Sequence, residues 1–445
     1  MAIHYGNPQL TFVFYAHAEL AGSTVRLLFL GLNYTPELTG IGKYSGEMME
    51  WLAARGHEVR VVTAPPYYPA WRVSDGYSGW RYRREVSAAG AEIYRCPLWV
   101  PAKPNGIRRV VHLSSFALSS LPVMLVQAAW RPDLVLTVEP AFTCAPAALL
   151  AARLCGAPAW LHIQDFEVDA AFDLGLLPSG GWAQRLAQSC ERMIRRRFSQ
   201  FSTISASMMA RLLQKGIEPS RITFFPNWVD VDAIYPQDQP SAFRAELGIG
   251  SDQIVLLYSG NMGAKQGLEI LPQLAARLQD RKQLHFVFCG DGAYRGQLEQ
   301  AAAGFENVTF LPLQPLERLN DLLNMADIHL LPQRAGAADL VMPSKLTGML
   351  ASGRPVVATA AVGTQVAAAV EGRGIAVAPG DPSGLAQAVI LLAENPALRG
   401  RLGNAARLFA GQELARDSVL MRFEAAMEGV LTRAGRSTIA ESSTS

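Results

Sequence analysis

Residues 341–358 read VMPSKLTGMLASGRPVVA, and the fold turns on how this stretch is read. Pro343-Ser344 ends a loop, residues 345–352 suit a short helix, Gly353-Arg354-Pro355 makes a turn, and residues 355–358 form a buried strand. Ser344 is placed to accept from the first free backbone N–H groups of that helix, and Pro343 sets the angle of entry. A helix start with a serine and Lys345 beside it can seat a phosphate, because the unpaired N–H groups and the positive end of the dipole both favour an anion. An ordinary capped helix of an α/β protein would carry the same residues. Two further glycine-rich strand-to-helix turns elsewhere in the chain favour the phosphate.

At 445 residues the chain exceeds what one core can organise, so two domains are expected. Half of it is apolar, which marks a folded protein, and a formal net charge of +2 argues against bulk nucleic-acid binding. The five cysteines are scattered and contain no CxxC pair. They read as buried thiols of a reducing, cytoplasmic compartment, neither a disulfide framework nor a zinc site. Residues 1–24 lack a basic region before their apolar run and a clear cleavage site after it, and read as a poorly ordered extension.

Residues 25–32 (VRLLFLGL) form the continuous apolar run of a strand buried on both faces. Residues 33–46 (NYTPELTGIGKYSG) follow, then a helix to about Arg55 with Ile41, Tyr44, Met48, Trp51 and Leu52 on one face, and a strand at 58–64. This βαβ unit is not a P-loop, since Lys43 is followed by Tyr44. Nor is it a nicotinamide-type turn, since the second strand ends without an acidic residue. Residues 65–84 are aromatic, proline-rich and basic at their end, and read as a surface loop or an acceptor-side lip. Residues 110–130, preceded by Arg108 and Arg109, could just span a bilayer, but His112, four serines and Pro122 suit an amphipathic helix on the membrane surface or on the sheet better. Residues 161–171 (LHIQDFEVDAA) follow a strand and lie where open α/β sheets keep their working residues; a metal cluster there is a minor reading. The run RMIRRR at 192–197 reads as a solvated helix face. Residues 226–240 hold three prolines and no periodicity, which makes a linker, and the Asp230-Val231-Asp232 triplet within it is too short to count as a metal motif. A second α/β series then begins, with turns SGNMGAKQG at 259–267 and Gly290-Asp291-Gly292. The fold class is therefore α/β, two Rossmann-like doubly wound halves with closing helices. Its chemistry is recognition of a diphosphate by helix starts and one or two lysines.

The order TGIG–helix–RGHEVRVVTAPP, FPNWVD, SGN…KQGLE, CGDG and PSK…LASGRPVVA resembles the family 4 glycosyltransferases, whose two facing Rossmann-like domains make the GT-B fold. The resemblance runs from about Arg26 to the closing helices. It implies an acceptor-side domain over 25–226, a linker at 227–240, a nucleotide-sugar domain at 241–410, a closing helix at 411–431 packing back on the first domain, and a flexible tail at 432–445. It also implies a retaining, metal-independent, hexosyl-type transfer with no cofactor. The acceptor would be a saccharide on a polyprenyl diphosphate, met by a cytoplasmic enzyme resting on the inner membrane surface. Within the family the wording is closest to members of colanic acid-type exopolysaccharide biosynthesis, for which the implied donor is GDP-fucose. Gly40, Gly42, Lys265, Gln266, Ser344 and Lys345 are then expected at the donor phosphates, and Gly260, Asn261, Gly290 and Asp339 at the nucleotide and sugar. Asp165, Gln164 and His162 are the catalytic candidates.

The sequence departs from the family pattern at definite positions. Asn261 stands where many members have arginine, Gln266 where they have lysine, and Leu340 and Gly348 where they have glutamates; Gln164 replaces a histidine before Asp165. Two competing readings follow, a nucleotide-sugar epimerase of the same architecture and a non-catalytic nucleotide-sugar-binding subunit.

Overall fold

The computed structural model describes residues 24–37, 40–102, 106–140, 142–166, 189, 191–263, 266–334 and 343–435. The chain divides into two compact units. One holds residues 24–225 together with 420–435, and the other holds Pro226–Val419.

The N-terminal unit is an eight-stranded sheet in the order β3-β4-β2-β1-β5-β6-β7-β8. Its centre is β1 (Arg26–Leu30), parallel to β2 (Glu58–Thr63) on one side and to β5 (Leu134–Glu139) on the other, in register Leu27↔Val59 and Leu27↔Leu134. Beyond β5 lie β6 (Ala159–Ile163), β7 (Gln200–Thr203) and β8 (Ile222–Phe224), all parallel. The residues of β5 and β6 are buried throughout, as strands covered on both faces must be. One strand falls where the sequence reads as loop: β3 (Arg83–Val86) pairs antiparallel with β4 (Glu92–Arg95). It is short, exposed and arginine-rich, a composition that blunts a sheet edge and gives no apolar signal.

Helix Gly40–Ala54 buries Tyr44, Ser45, Met48, Met49 and Leu52. Ile41 and Trp51, expected on that face, are only half-buried; the Arg55 guanidinium covers the Trp51 ring at 4.9 Å. Helix Gly106–Ala128 is long and apolar enough to cross a membrane by length and composition. It is built into the unit instead: Leu113, Phe116 and Met124 are buried, His112 bonds the Trp99 carbonyl at 2.7 Å, and Ser119 donates to the Pro97 carbonyl at 2.6 Å. In the RMIRRR run, Arg192, Arg196 and Arg197 are exposed, but Arg195 is not a solvated residue. It is buried, with its Nη2 3.2 Å from Glu139 and 2.8 Å from Glu191, one cation shared between two carboxylates.

The C-terminal unit is a six-stranded parallel sheet, β11-β10-β9-β12-β13-β14. The strands are β9 (Ile254–Ser259), β10 (Leu284–Cys289), β11 (Val308–Leu311), β12 (Ile328–Leu331), β13 (Val356–Thr359) and β14 (Gly374–Val377). Leu256, Phe286 and Phe288 face one apolar cluster with Leu271, Leu274 and Val389, while Val255, Leu257 and Val287 face another with Phe243 and Met325. Alternate residues thus fill opposite layers, which is why the strands read as unbroken apolar runs. The proline-rich stretch after Pro226 is fastened to this unit. Val229 N donates to Leu414 O at 2.8 Å, and Arg407 donates to the carbonyls of Val231 and Ile234. Asp230 accepts from Asp232 N and Ala233 N and pairs with Arg416 at 2.8 Å.

The chain rejoins the N-terminal unit at Leu420, inside helix Arg416–Arg433. Phe423 stacks on Phe225 at 4.5 Å and tilts against Trp160 at 4.9 Å. Glu424 accepts from Arg55 Nε at 2.8 Å and meets His57 Nε2 at 2.9 Å.

Candidate functional site

In each sheet the direction of winding reverses once, and open α/β sheets bind ligands at that point, beyond the carboxyl ends of the strands. In the C-terminal unit the reversal lies between β9 and β12. The turn after β9 and the turn after β10 are zipped together there: Gly260 N donates to Cys289 O at 2.9 Å, and Met262 N to Asp291 O at 2.7 Å. The contact is so close that a Cβ on Gly290 would stand 1.9 Å from the Gly260 carbonyl oxygen, so Gly290 is required by turn-on-turn packing alone. The segment after β12 leads to helix Ser344–Ala351. Lys345, in the first turn of that helix, reaches back over the glycine turn. Its Nζ donates to the Tyr258 hydroxyl at 3.1 Å and lies 4.2 Å from the centre of the Tyr258 ring. Part of the residue keeps solvent contact, yet the amine is packed closely enough that burial pushes its pKa down to about 7.

Ser344 does not cap the helix as expected. Pro343 occupies the cap position without a side-chain bond, and Ser344 is already the first helical residue, exposed, with its carbonyl accepting from Thr347 Oγ1. Gln266 folds back on its own turn, its N–H donating to Gly263 O at 3.3 Å, and its Oε1 is buried with no partner among the described residues. Asn261 is exposed at the tip of the turn. Lys265 and Asp339 lie outside the described residues.

The reversal in the N-terminal unit lies between β1 and β5. The loop after β1 is organised by Glu37, a residue that sequence reasoning missed. Its Oε1 accepts from Tyr67 N and Tyr68 N, both at 3.0 Å, and its Oε2 from Asn33 Nδ2 at 2.9 Å. Burial raises its pKa against the pull of those three bonds. This changes the reading of Gly42. A Cβ there would stand 2.6 Å from Glu37 Oε2, so the space is kept for a carboxylate, which is a poor neighbour for a phosphate. Gly40 opens the helix with φ +60° and free space beside it. Nearby, Tyr67, Trp71 and His112 form a ring cluster with centroids 4.8–5.6 Å apart. His112 Nδ1 must be the protonated nitrogen, because its partner is a carbonyl; Nε2 is then a buried acceptor without a partner among the described residues.

His162, expected at the catalytic centre, is a core residue. It lies within β6 with Nδ1 2.9 Å from Ser202 Oγ and its ring 5.1 Å from Phe225, and burial lowers its pKa to about 3. Gln164 and Asp165 follow β6 beyond the strand; Gln164 is buried with its N–H on Glu139 O at 3.0 Å, and Asp165 is partly exposed.

Two doubly wound parallel sheets in one chain, with bare glycine turns and a lysine gathered at a winding reversal, make the architecture of the GT-B glycosyltransferases. Two family descriptions match in succession: "Glycosyl transferase 4-like domain" over residues 39–228, and "Glycosyl transferases group 1" over residues 253–395. WcaI of Escherichia coli strain K12, a protein provisionally named for colanic acid glycosyl transfer, is 43% identical over 412 residues, 90% of this chain and 98% of WcaI. The chain belongs to the family 4 glycosyltransferases. Among solved structures, sucrose-phosphate synthase from Thermosynechococcus elongatus superposes with a TM-score of 0.71 at 17% identity, over 92% of this chain and 100% of that one. WaaG, a glycosyltransferase involved in lipopolysaccharide biosynthesis, superposes at 0.62 and 18% identity, over 91% and 100%.

Proposed function

We propose that the chain transfers a hexose-type sugar, with retention and without a metal, from a nucleoside diphosphate donor to a saccharide carried on a polyprenyl diphosphate. The pathway proposed is the assembly of a colanic acid-like exopolysaccharide. GDP-fucose is the first donor to test. The observation that carries this reading is Lys345 lying over the zipped glycine turns at the winding reversal, in a chain aligned with nearly the whole of WcaI. Backbone N–H groups and one cation stabilise a departing diphosphate in the way transition-state charge stabilisation requires. The leaving phosphate itself then helps to take the proton from the acceptor hydroxyl, so no strong protein base is needed. Asp165, which follows β6 and is partly exposed, is the first candidate for orienting the reacting groups.

A peripheral position on the cytoplasmic face of the inner membrane fits the outer side of helix Gly106–Ala128. Ile107, Val110, Val111, Leu118 and Val126 are exposed there beside Arg108 and Arg109, a pairing suited to acyl chains under anionic headgroups. Arg108→Glu with Arg109→Glu is expected to move the protein from the membrane to the soluble fraction.

Calorimetric titration with GDP and then UDP, each with and without magnesium, tests the donor. Preference for GDP independent of magnesium supports the reading and justifies an assay with GDP-fucose and lipid-linked acceptor. Preference for UDP moves the donor and reopens the epimerase reading. Binding of neither overturns it.

A further inference from the structure

Tyr258, next to last in β9, has no exposed surface, and its hydroxyl makes two bonds of opposite sense. It donates to the Asn261 carbonyl at 2.7 Å and accepts from Lys345 Nζ at 3.1 Å. A phenol has one proton and spare lone pairs, so it can do both at once, and burial holds its pKa above the ordinary range so that it stays a neutral phenol. The lysine stem is packed as well. A Cβ on Gly260 would stand 3.4 Å from Lys345 Cδ and 3.8 Å from Nζ. A four-carbon side chain left to itself samples many rotamers, and ordering it costs entropy. Here one hydroxyl joins its end to the turn that must meet the ligand.

We propose that Tyr258 is a positioning residue that holds the Lys345 amine over the 259–263 turn, and that this amine takes up one proton from solvent when a diphosphate binds. This rests on the donor reading above. No carboxylate pairs with Lys345 among the described residues. The charged groups on the surrounding elements are otherwise engaged: Asp291, after β10, accepts from Gly292 N at 2.7 Å, and Arg334, after β12, pairs with Glu269 at 2.9 Å. Burial is therefore what disfavours the charge, and the positive end of the helix acts in the same sense. A diphosphate brings the missing negative charge. Above about pH 7 the free amine is neutral and must gain its proton on binding; well below that pH it already carries one.

The test is titration calorimetry of the full chain with inorganic pyrophosphate, GDP and UDP at pH 6 and pH 8, in buffers of different ionisation enthalpy. The wild type is compared with Tyr258→Phe, Lys345→Met and the double variant, all with unchanged melting temperature to within a few degrees. With GDP and UDP, whose terminal phosphate is already deprotonated at pH 8, the wild type is expected to take up close to one proton at pH 8 and clearly less at pH 6; pyrophosphate, which still carries a proton of its own at pH 8, is used for affinity only. Tyr258→Phe is expected to bind pyrophosphate about tenfold more weakly. In the Lys345→Met background the same change should have no further effect, and proton uptake should vanish. Wild-type affinity in Tyr258→Phe, or an equal loss in both backgrounds, overturns the positioning role. Uptake that does not differ between the two pH values overturns the proton linkage. Ligand binding that survives Lys345→Met unchanged sinks this inference and takes the lysine out of the donor site, and the donor reading then rests on nucleotide binding and the likeness to WcaI alone. Binding of none of the three probes sinks both.

Discussion

The two units repeat one topology and put opposite chemistry at the same place. At the winding reversal of the C-terminal unit stand a lysine amine and two interlocked glycine turns. At that of the N-terminal unit stand two buried carboxylates, Glu37 satisfied by backbone and amide N–H groups and Glu139 by Arg195. Winding order provides the place, and side chains decide its chemistry. The C-terminal reversal is the one proposed above for the diphosphate. The N-terminal one is lined instead by buried groups that satisfy one another, with the Tyr67, Trp71 and His112 rings packed together nearby.

The comparison can be broken most sharply at its tightest contact. Gly290→Ala is expected to lower unfolding stability by about 3 kcal/mol, since no rotation relieves a methyl 1.9 Å from a carbonyl; urea titration measures it. A loss no greater than that of Gly40→Ala would remove turn packing as the reason for that glycine. Lys345→Ala should weaken nucleotide binding by about 1.5–3 kcal/mol in calorimetry, with no loss of thermal stability, because a buried amine costs the fold more than it contributes. Unchanged affinity would take Lys345 out of the site.

Among the described residues His162 in the N-terminal unit and His329 in the C-terminal unit are the imidazoles that burial shifts most, and they test whether the two cores respond alike to acid. Burial lowers His162 and His329 to about 3 from an ordinary 6.5, so each binds its proton more weakly when folded. Their contribution is complete above about pH 6.5 and is lost as pH falls toward 3, by about 2 kcal/mol per histidine at pH 5. His162→Asn should flatten the acid slope of the N-terminal unit alone, read from urea unfolding at pH 7.5 and pH 5. The smallest effect is Gly40→Ala, about 1 kcal/mol, since its φ of +60° is unfavourable for alanine but the space is free. A larger loss would mean that the N-terminal turn is packed as tightly as its counterpart.

Much of the fold was legible because parallel strands covered on both faces announce themselves as runs such as VRLLFLGL and because glycines mark the turns between strand and helix. The edge strand β3 was illegible, since its arginines look like loop. At the candidate site, a helix start carrying Lys345 was readable from Pro343 and Ser344, but the capping role given to Ser344 was off by one position, and a helix start is rarely fixed by sequence to better than that. His162 has the residue type of a catalytic group, and its burial was not readable because it comes from a strand covered on both faces and from Ser202, forty residues away. Glu37 and Tyr258 gave no local signal at all. Their importance comes from partners 30 and 87 residues away.

Helix Arg416–Arg433 has a consequence for how the protein is made. Phe423 and Glu424 complete the unit that the ribosome begins first, closing over Trp160 and Phe225 and over Arg55 and His57. The half synthesised earliest is therefore finished last. Until the final turns of that helix emerge, the nascent N-terminal half must wait with an apolar wedge position open, so a chain interrupted shortly before residue 420 leaves the older half unfinished while the younger one holds nearly all its parts.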